Sequence, residues 1–390
     1  MHPGKTIASI LIAAFLFGCK KDQTNPSSNS QPDNCLIQHK ATSGDIITDE
    51  YIVAYKPVSL NGRSLSVDEL SRMNADLLER NDIRATAIER TFHGAPSGLV
   101  VHLSSQQAAK LKSDGDVEAV EPDRVVALST CFTVAEPRLL TWNIIRVGYG
   151  DGTGKTAWVI DTGIDFTHPD LNVDQARSLS FLDGVTSADD ENGHGTHVAG
   201  IIGGKNNAFG VLGVASGASL VSLRVLDKDG NGRLSSIIQA LAYVNDNGHP
   251  GDVVNLSLGE DSVSNILDEE VENTAAKGIY IAIAAGNDHK PARDFSPGRA
   301  NGPNIFTVSA IDSLDNFASF SDYGNDVVDY AAPGVHILST YKDGKYAYMT
   351  GTSMAAPHVA GLLLLKGRNI VTDGTAKKDP DGTPDPIAHY

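Results

Sequence analysis

The chain's 390 residues suffice for one large domain with smaller pieces attached, and a composition that is 41% hydrophobic supports a substantial core. A formal net charge of −17, from 31 basic and 48 acidic residues, argues against a nucleic-acid partner. Three cysteines are too few for a disulfide scaffold, and no Cys/His cluster has zinc-finger spacing.

At the N-terminus, Lys5 precedes the apolar run IASILIAAFLFG, which ends at Cys19 and is too short to span a bilayer comfortably. Residues 1–19 therefore read as an export signal. Residues 20–47, opening with the polar stretch KKDQTNPSSNSQPDN, read as a flexible tether. From residue 48 to 128 the pattern predicts a small α+β unit. EYIVAYK, SGLVVHLS and VEAVEPDRVV read as strands, with SVDELSRMNADLLERND and SSQQAAKLKSD as helices between them. Nothing in that unit looks catalytic.

Residues 129–390 have a different texture. The apolar runs TAWVI, LVSLRV, DVVNLSL, IYIAIAA, IFTVSA and VVDYAAPG alternate with helical patterns, which predicts an α/β domain built on a buried parallel sheet. Functional groups in such sheets gather at the carboxyl ends of the strands. Asp161 ends the first run, in AWVIDTGID. It suits a ribose or a metal, but the neighbouring GYGDGTG precedes the strand and fails the dinucleotide spacing. His194 and His197, in ENGHGTHVAG, suit either a metal site or a base with a second imidazole packed behind it; HExxH is absent. Asn287, after IAIAAG, is a turn former or a non-titrating hydrogen-bond donor. Ser353, in GTSMAAPHVAG, is a helix-start residue or a nucleophile beside the positive end of a helix, with Pro357 expected in the first turn.

Taken together, VIDTGID, HGTHVAG, AAGN and GTSMAAPHVAG resemble the motifs of subtilisin-like serine proteases, in that family's Asp, His, Ser order. The resemblance covers residues from about 138 to 368 and implies a three-layer α/β catalytic domain with a parallel sheet. It assigns Asp161 to orient the imidazole, His194 as general base and then acid, Ser353 as nucleophile, and Asn287 with the Ser353 N–H as oxyanion hole. Gly230, Asn231 and Gly232, with Ser257, Leu258 and Gly259, resemble the two segments between which a peptide substrate lies as an added strand. Ala284, Ala285 and Gly286 would wall the pocket before the scissile bond, expected to take an apolar or aromatic side chain.

The 48–128 unit resembles the family's propeptide, an intramolecular inhibitor, with self-cleavage expected between Val126 and Cys131. HPDL and GGKNNAFGVLGVA resemble a calcium loop, implying Ca2+ on the side chains of Asp170 and Asn207 and the carbonyls of Lys205, Phe209 and Val211. LFGC resembles a bacterial lipobox, which implies lipidation at Cys19, a membrane anchor and an extracytoplasmic location. Self-cleavage would sever that anchor, and a Cys35–Cys131 disulfide would restore it. The competing classes are a protease-like binding protein without turnover and an ester hydrolase; GTSMA lacks the latter's GxSxG.

Overall fold

The computed structural model describes residues 43–56, 66–93, 96–127, 131–134 and 139–390. Cys19, Cys35 and the side chain of Cys131 lie outside the described residues, so the expected signal, lipid anchor and disulfide fall there too. Among the described residues no helix is long and apolar enough to cross a membrane.

Strand Ile46–Tyr55 begins two residues inside the expected tether, and its alternation decides how the small unit is built. Val53 and Tyr55 face one way, into a core with Leu70, Leu77 and Leu78 of helix Val67–Arg80 and Leu111 of helix Ser105–Leu111. Ile52 and Ala54 face the other way and join Phe92 and Val126 in the core of the large domain. The period-2 geometry of a strand thus gives one sheet two buried faces. Burying Ile52 and Phe92 is worth about 1.5–3 kcal/mol each. Both helices start on a capping box, Ser66 with Glu69 and Ser104 with Gln107, which satisfies their first backbone donors. The unit follows a βαββαβ order, the one expected from its sequence; strand Ile88–Phe92, sequence IERTF, carries charges and no clean apolar alternation, and it forms the outer edge of this antiparallel sheet.

The large domain is organised by a nine-stranded sheet. Its central strands, in spatial order, are Val328–Pro333, Ile305–Ile311, Tyr280–Ala284, Val253–Leu256, Thr156–Asp161 and Ser219–Arg224, all paired in parallel. They coincide with the six expected runs to within a few residues. Along Thr156–Asp161, Ala157 and Val159 meet the layer holding helices His194–Gly203 and Thr352–Lys366. Trp158 and Ile160 meet the opposite layer, formed by helices Leu234–Asn247 and Asn265–Ala276. The result is helix, sheet, helix, with the small antiparallel sheet outside the second helix layer.

Two acidic residues on the last strand of the small sheet, Val117–Ala127, attach it to that layer. Glu121 Oε2 accepts from Ser264 Oγ at 2.7 Å and Oε1 from the Asn265 N–H at 3.1 Å, at the start of helix Asn265–Ala276. Asp123 accepts from the Ser235 N–H at 3.2 Å and Ser235 Oγ at 2.5 Å, in the first turn of helix Leu234–Asn247. Spaced two apart, both carboxylates leave the strand on one face and meet the positive ends of neighbouring helices. Arg233 pairs with Glu50 across the same boundary.

Candidate active site

Asp161 ends its strand fully buried, one oxygen accepting from the Thr162 N–H at 2.7 Å. His194 Nδ1 lies 2.8 and 2.9 Å from the two Asp161 oxygens. A carboxylate there holds the proton on Nδ1 and leaves Nε2 as the basic nitrogen. That Nε2 is buried and has no partner. His194, at the start of its helix, is as buried as His197, and the loop before it folds around Asp190. Asp190 Oδ1 accepts from Thr162 Oγ1, Asn192 N–H and Gly193 N–H, each at 2.9 Å, and Oδ2 from the Thr196 N–H at 3.0 Å and Thr196 Oγ1 at 2.6 Å. Burial pushes the Asp190 carboxyl up, against those five donors. Gly193 sits at φ +117°, and a Cβ there would lie 2.0 Å from the Tyr341 ring, so only glycine admits the chain at this bend. His197 packs behind, as expected: its Nε2 meets the carbonyls of Ile337 and Ala347, and burial lowers its pKa to about 3, keeping it neutral.

Ser353 is the second residue of helix Thr352–Lys366, whose first thirteen residues are all buried. Pro357 lies inside that helix and not in its first turn. It cannot donate to the carbonyl four residues back, which belongs to Ser353. Ser257 Oγ takes that carbonyl instead, at 2.8 Å, and Asn255 Nδ2 donates to Ser257 Oγ at 2.8 Å. Ser353 Oγ in turn donates to the Ser257 carbonyl at 3.1 Å. Asn287 Oδ1 accepts from the Thr352 N–H at 2.8 Å and Thr352 Oγ1 at 2.9 Å, which fixes the amide with Nδ2 as its donor end.

Ser353 and Asn287 line one cavity of about 360 Å³. The expected Ser257, Leu258, Gly259, Ala284 and Gly286 line it as well. Gly230 and Gly232 do not. Gly230 closes a turn onto the Asp227 carbonyl, and Gly232 lies in strand Asn231–Arg233, where a Cβ would sit 2.3 Å from the Val225 carbonyl oxygen. That strand pairs antiparallel with the small sheet, Gly232 opposite Val126 and Asn231 opposite Ala127. Ala127 reaches the cavity. Strand Cys131–Val134 resumes on the other side, its Cys131 opposite Thr350, just before the Ser353 helix.

The loop expected to bind calcium wraps Asp170. Asn207 Nδ2 donates to Asp170 Oδ1 at 2.7 Å, the Val211 N–H to Oδ2 at 2.7 Å, and the Lys205 N–H to the Asp170 carbonyl at 2.8 Å. Phe209 is half exposed, its N–H on Asn207 Oδ1 at 3.0 Å. Burial raises the Asp170 carboxyl. Sequence reasoning missed Asp190 as the residue that holds this loop; its signal is an acid four residues before a histidine, followed by Thr196.

Residues 152–370 match the model of the subtilase family, and residues 50–129 match that of peptidase inhibitor I9. Alkaline serine exoprotease A of Vibrio alginolyticus is 36% identical over 82% of this chain and 60% of its own length. A thermophilic serine proteinase of Bacillus sp. (strain AK1) is 45% identical over 58% of this chain and 55% of its own, so the chain spans little more than half of these two relatives. M-protease of Shouchella clausii is 36% identical over 84% of both chains. A cold-adapted subtilisin-like serine proteinase of known crystal structure superposes with a TM-score of 0.56 at 34% identity, covering 65% of this chain and 98% of that one. With its family model matched over more than half its length and an inhibitor-type unit ahead of it, the chain belongs to the subtilase family.

Proposed function

We propose that the protein is a serine endopeptidase made as a self-processing zymogen. The observation that carries this reading is the Asp161–His194 pair, which leaves a basic nitrogen buried without a partner in a fold that also brings Ser353 and Asn287 to one cavity. Ser353 Oγ, turned from the Ser257 carbonyl to His194, attacks the peptide carbonyl while Nε2 takes its proton. The resulting oxyanion receives hydrogen bonds from Asn287 Nδ2 and the Ser353 N–H. Collapse expels the amine, which takes the proton from Nε2, and leaves an acyl-enzyme. Water then attacks by the same route. In this reading Asp161 holds the imidazole, and Asp190 positions the loop that carries it. Residues 48–128 act as intramolecular inhibitor, with Val117–Ala127 lying on Asn231–Arg233 as a substrate strand would. The bond cut lies between Val126 and Cys131. Purified Ser353→Ala is expected to stay unprocessed and to resist a serine-directed fluorophosphonate that labels the parent chain. Normal maturation of this variant would remove Ser353 from the mechanism.

We further infer a calcium ion on the Asp170 loop. The donors there are oxygens in kind, a carboxylate, an amide and carbonyls, and the buried Asp170 lacks a full counter-charge. To present its oxygen to the ion, the Asn207 amide would give up its bonds to Asp170 and to the Phe209 N–H. Bound calcium would stabilise the folded state by mass action. Chelation is expected to lower the melting temperature of the parent chain and to leave that of Asp170→Ala unchanged. The membrane anchor at Cys19 remains part of the proposal, and radiolabelled fatty acid incorporation, lost in Cys19→Ala, tests it.

A further inference from the structure

The walls of the cavity beside Ser353 are those expected, but its charge is not. Besides Leu258, Ala284, Ala285 and Phe295, it is lined by four acidic residues, Glu260, Asp261, Asp288 and Asp322. Asp322 is 1% exposed; its Oδ1 accepts from the N–H groups of Asp288 and Lys290 at 3.0 and 2.8 Å. Its other oxygen lies directly behind Gly286, where a Cβ would come within 2.1 Å of it. Glu260 is 3% exposed, with Oε2 held by Ser262 Oγ at 3.1 Å and Oε1 buried without any partner. The carboxylates also act on one another. Burial and then Asp288 push the Asp261 carboxyl up, and burial pushes Asp322 to about 6 with Asp288 adding to the effect.

Counter-charge is scarce. Lys290 Nζ is 3.6 Å from Asp288 Oδ2 and is shared with the Phe295 ring, 5.3 Å away. The cation acting on Glu260 is Arg124, opposed by Glu121 and Asp268. Arg124 and Glu121 belong to the inhibitor-type unit and leave with it. An aromatic or aliphatic occupant would complete the desolvation of these carboxylates without pairing them, which is costly. A guanidinium or ammonium would pair them through charge-assisted hydrogen bonds.

We propose that this cavity selects peptides carrying arginine or lysine immediately before the scissile bond, with Asp261, Asp288 and Asp322 supplying the recognition and Glu260 the remaining acceptor. The inference rests on Ser353 as nucleophile. The segment Ala127–Cys131, ALSTC, contains no basic residue, but its cleavage is intramolecular, and a high effective concentration replaces side-chain recognition there.

The test is kcat/KM of the mature enzyme on fluorogenic peptides that differ only in arginine, lysine, leucine, phenylalanine or glutamate at that position. Arginine and lysine are expected to exceed leucine and phenylalanine by about tenfold or more, with glutamate last. Asp322→Asn and Asp288→Asn should each lower the lysine-to-leucine ratio. Asp288→Asn and Asp261→Asn, at exposed positions, give the same readout if the buried Asp322→Asn fails to fold, and fluorophosphonate titration counts active sites in every sample. A ratio of one or below in the parent enzyme, or one unmoved by all three substitutions, overturns the proposal. Absence of both labelling and hydrolysis on every peptide overturns Ser353 as nucleophile instead.

Discussion

The two carboxylates that dock the small sheet and the groups around Ser353 lie on one continuous surface, yet they end in opposite states. Glu121 and Asp123 have all four oxygens bonded to donors at two helix starts. His194 Nε2 and, at the cavity, Glu260 Oε1 are buried with nothing to bond. A buried polar atom left unsatisfied costs about 1–3 kcal/mol, so its persistence is informative. The contrast separates two docking carboxylates that are complete as they stand from a centre completed only by what enters it.

Changes on the incomplete side should have the larger effects. In the proposed reading, Asn287→Leu removes a donor to the developing oxyanion. It is expected to lower kcat by about 10²–10³, the range measured for removing one such donor in a subtilisin. A rise confined to KM would mean that Asn287 only positions substrate. On the complete side, Glu121→Gln with Asp123→Asn keeps the shapes and removes the charges that face two helix N-termini. Inhibition of the mature enzyme by the separately supplied 48–127 segment should weaken about tenfold, from about 0.3–1 kcal/mol at each helix end. Unchanged inhibition would assign the docking to the apolar face of Ile52, Phe92 and Val126 alone.

A third change sharpens the contrast with an orphan far from the cavity. Glu270 is fully buried, its Oε1 accepting from Asn245 Nδ2 at 2.6 Å and its Oε2 unpartnered. Burial raises its pKa to about 8. A carboxyl raised on folding contributes stability that is fully present below its ordinary pKa and is lost as pH rises through the folded value. The parent chain should therefore lose ground to Glu270→Gln between about pH 4.5 and 8, by about 1.4 kcal/mol per pH unit at most. Denaturant midpoints for the two proteins at pH 5 and pH 8 measure it. A constant gap would mean that Glu270 stays ionised.

Much of this was legible in the sequence because it depends on local pattern. The six central strands are apolar runs bounded by glycine or polar residues, and Asp161 and Asn287 follow such runs directly. The remainder depends on partners distant in the chain. Asp190 takes its meaning from Thr162, 28 residues earlier, as well as from its own loop. The proline at 357 read as a helix-start signal, whereas its effect is to free a carbonyl that Ser257 claims from 96 residues away. Strand Ile88–Phe92 is specified by its neighbour Gly98–His102 and not by its own charged sequence. The acidity of the cavity was likewise hidden, since Glu260, Asp288 and Asp322 come from three separate loops.

The chain reaches the active centre on one sheet and leaves it on another: Val117–Ala127 is laddered to Asn231–Arg233, and Cys131–Val134 to Lys345–Thr350. In the proposed reading, cutting between them would leave both new ends anchored by their own hydrogen bonds. Bond cleavage and the onset of activity are then separate events governed by different clocks. The first is unimolecular and indifferent to protein concentration; the second waits on dissociation and is hastened by dilution. A nicked but silent population is the expected intermediate of maturation.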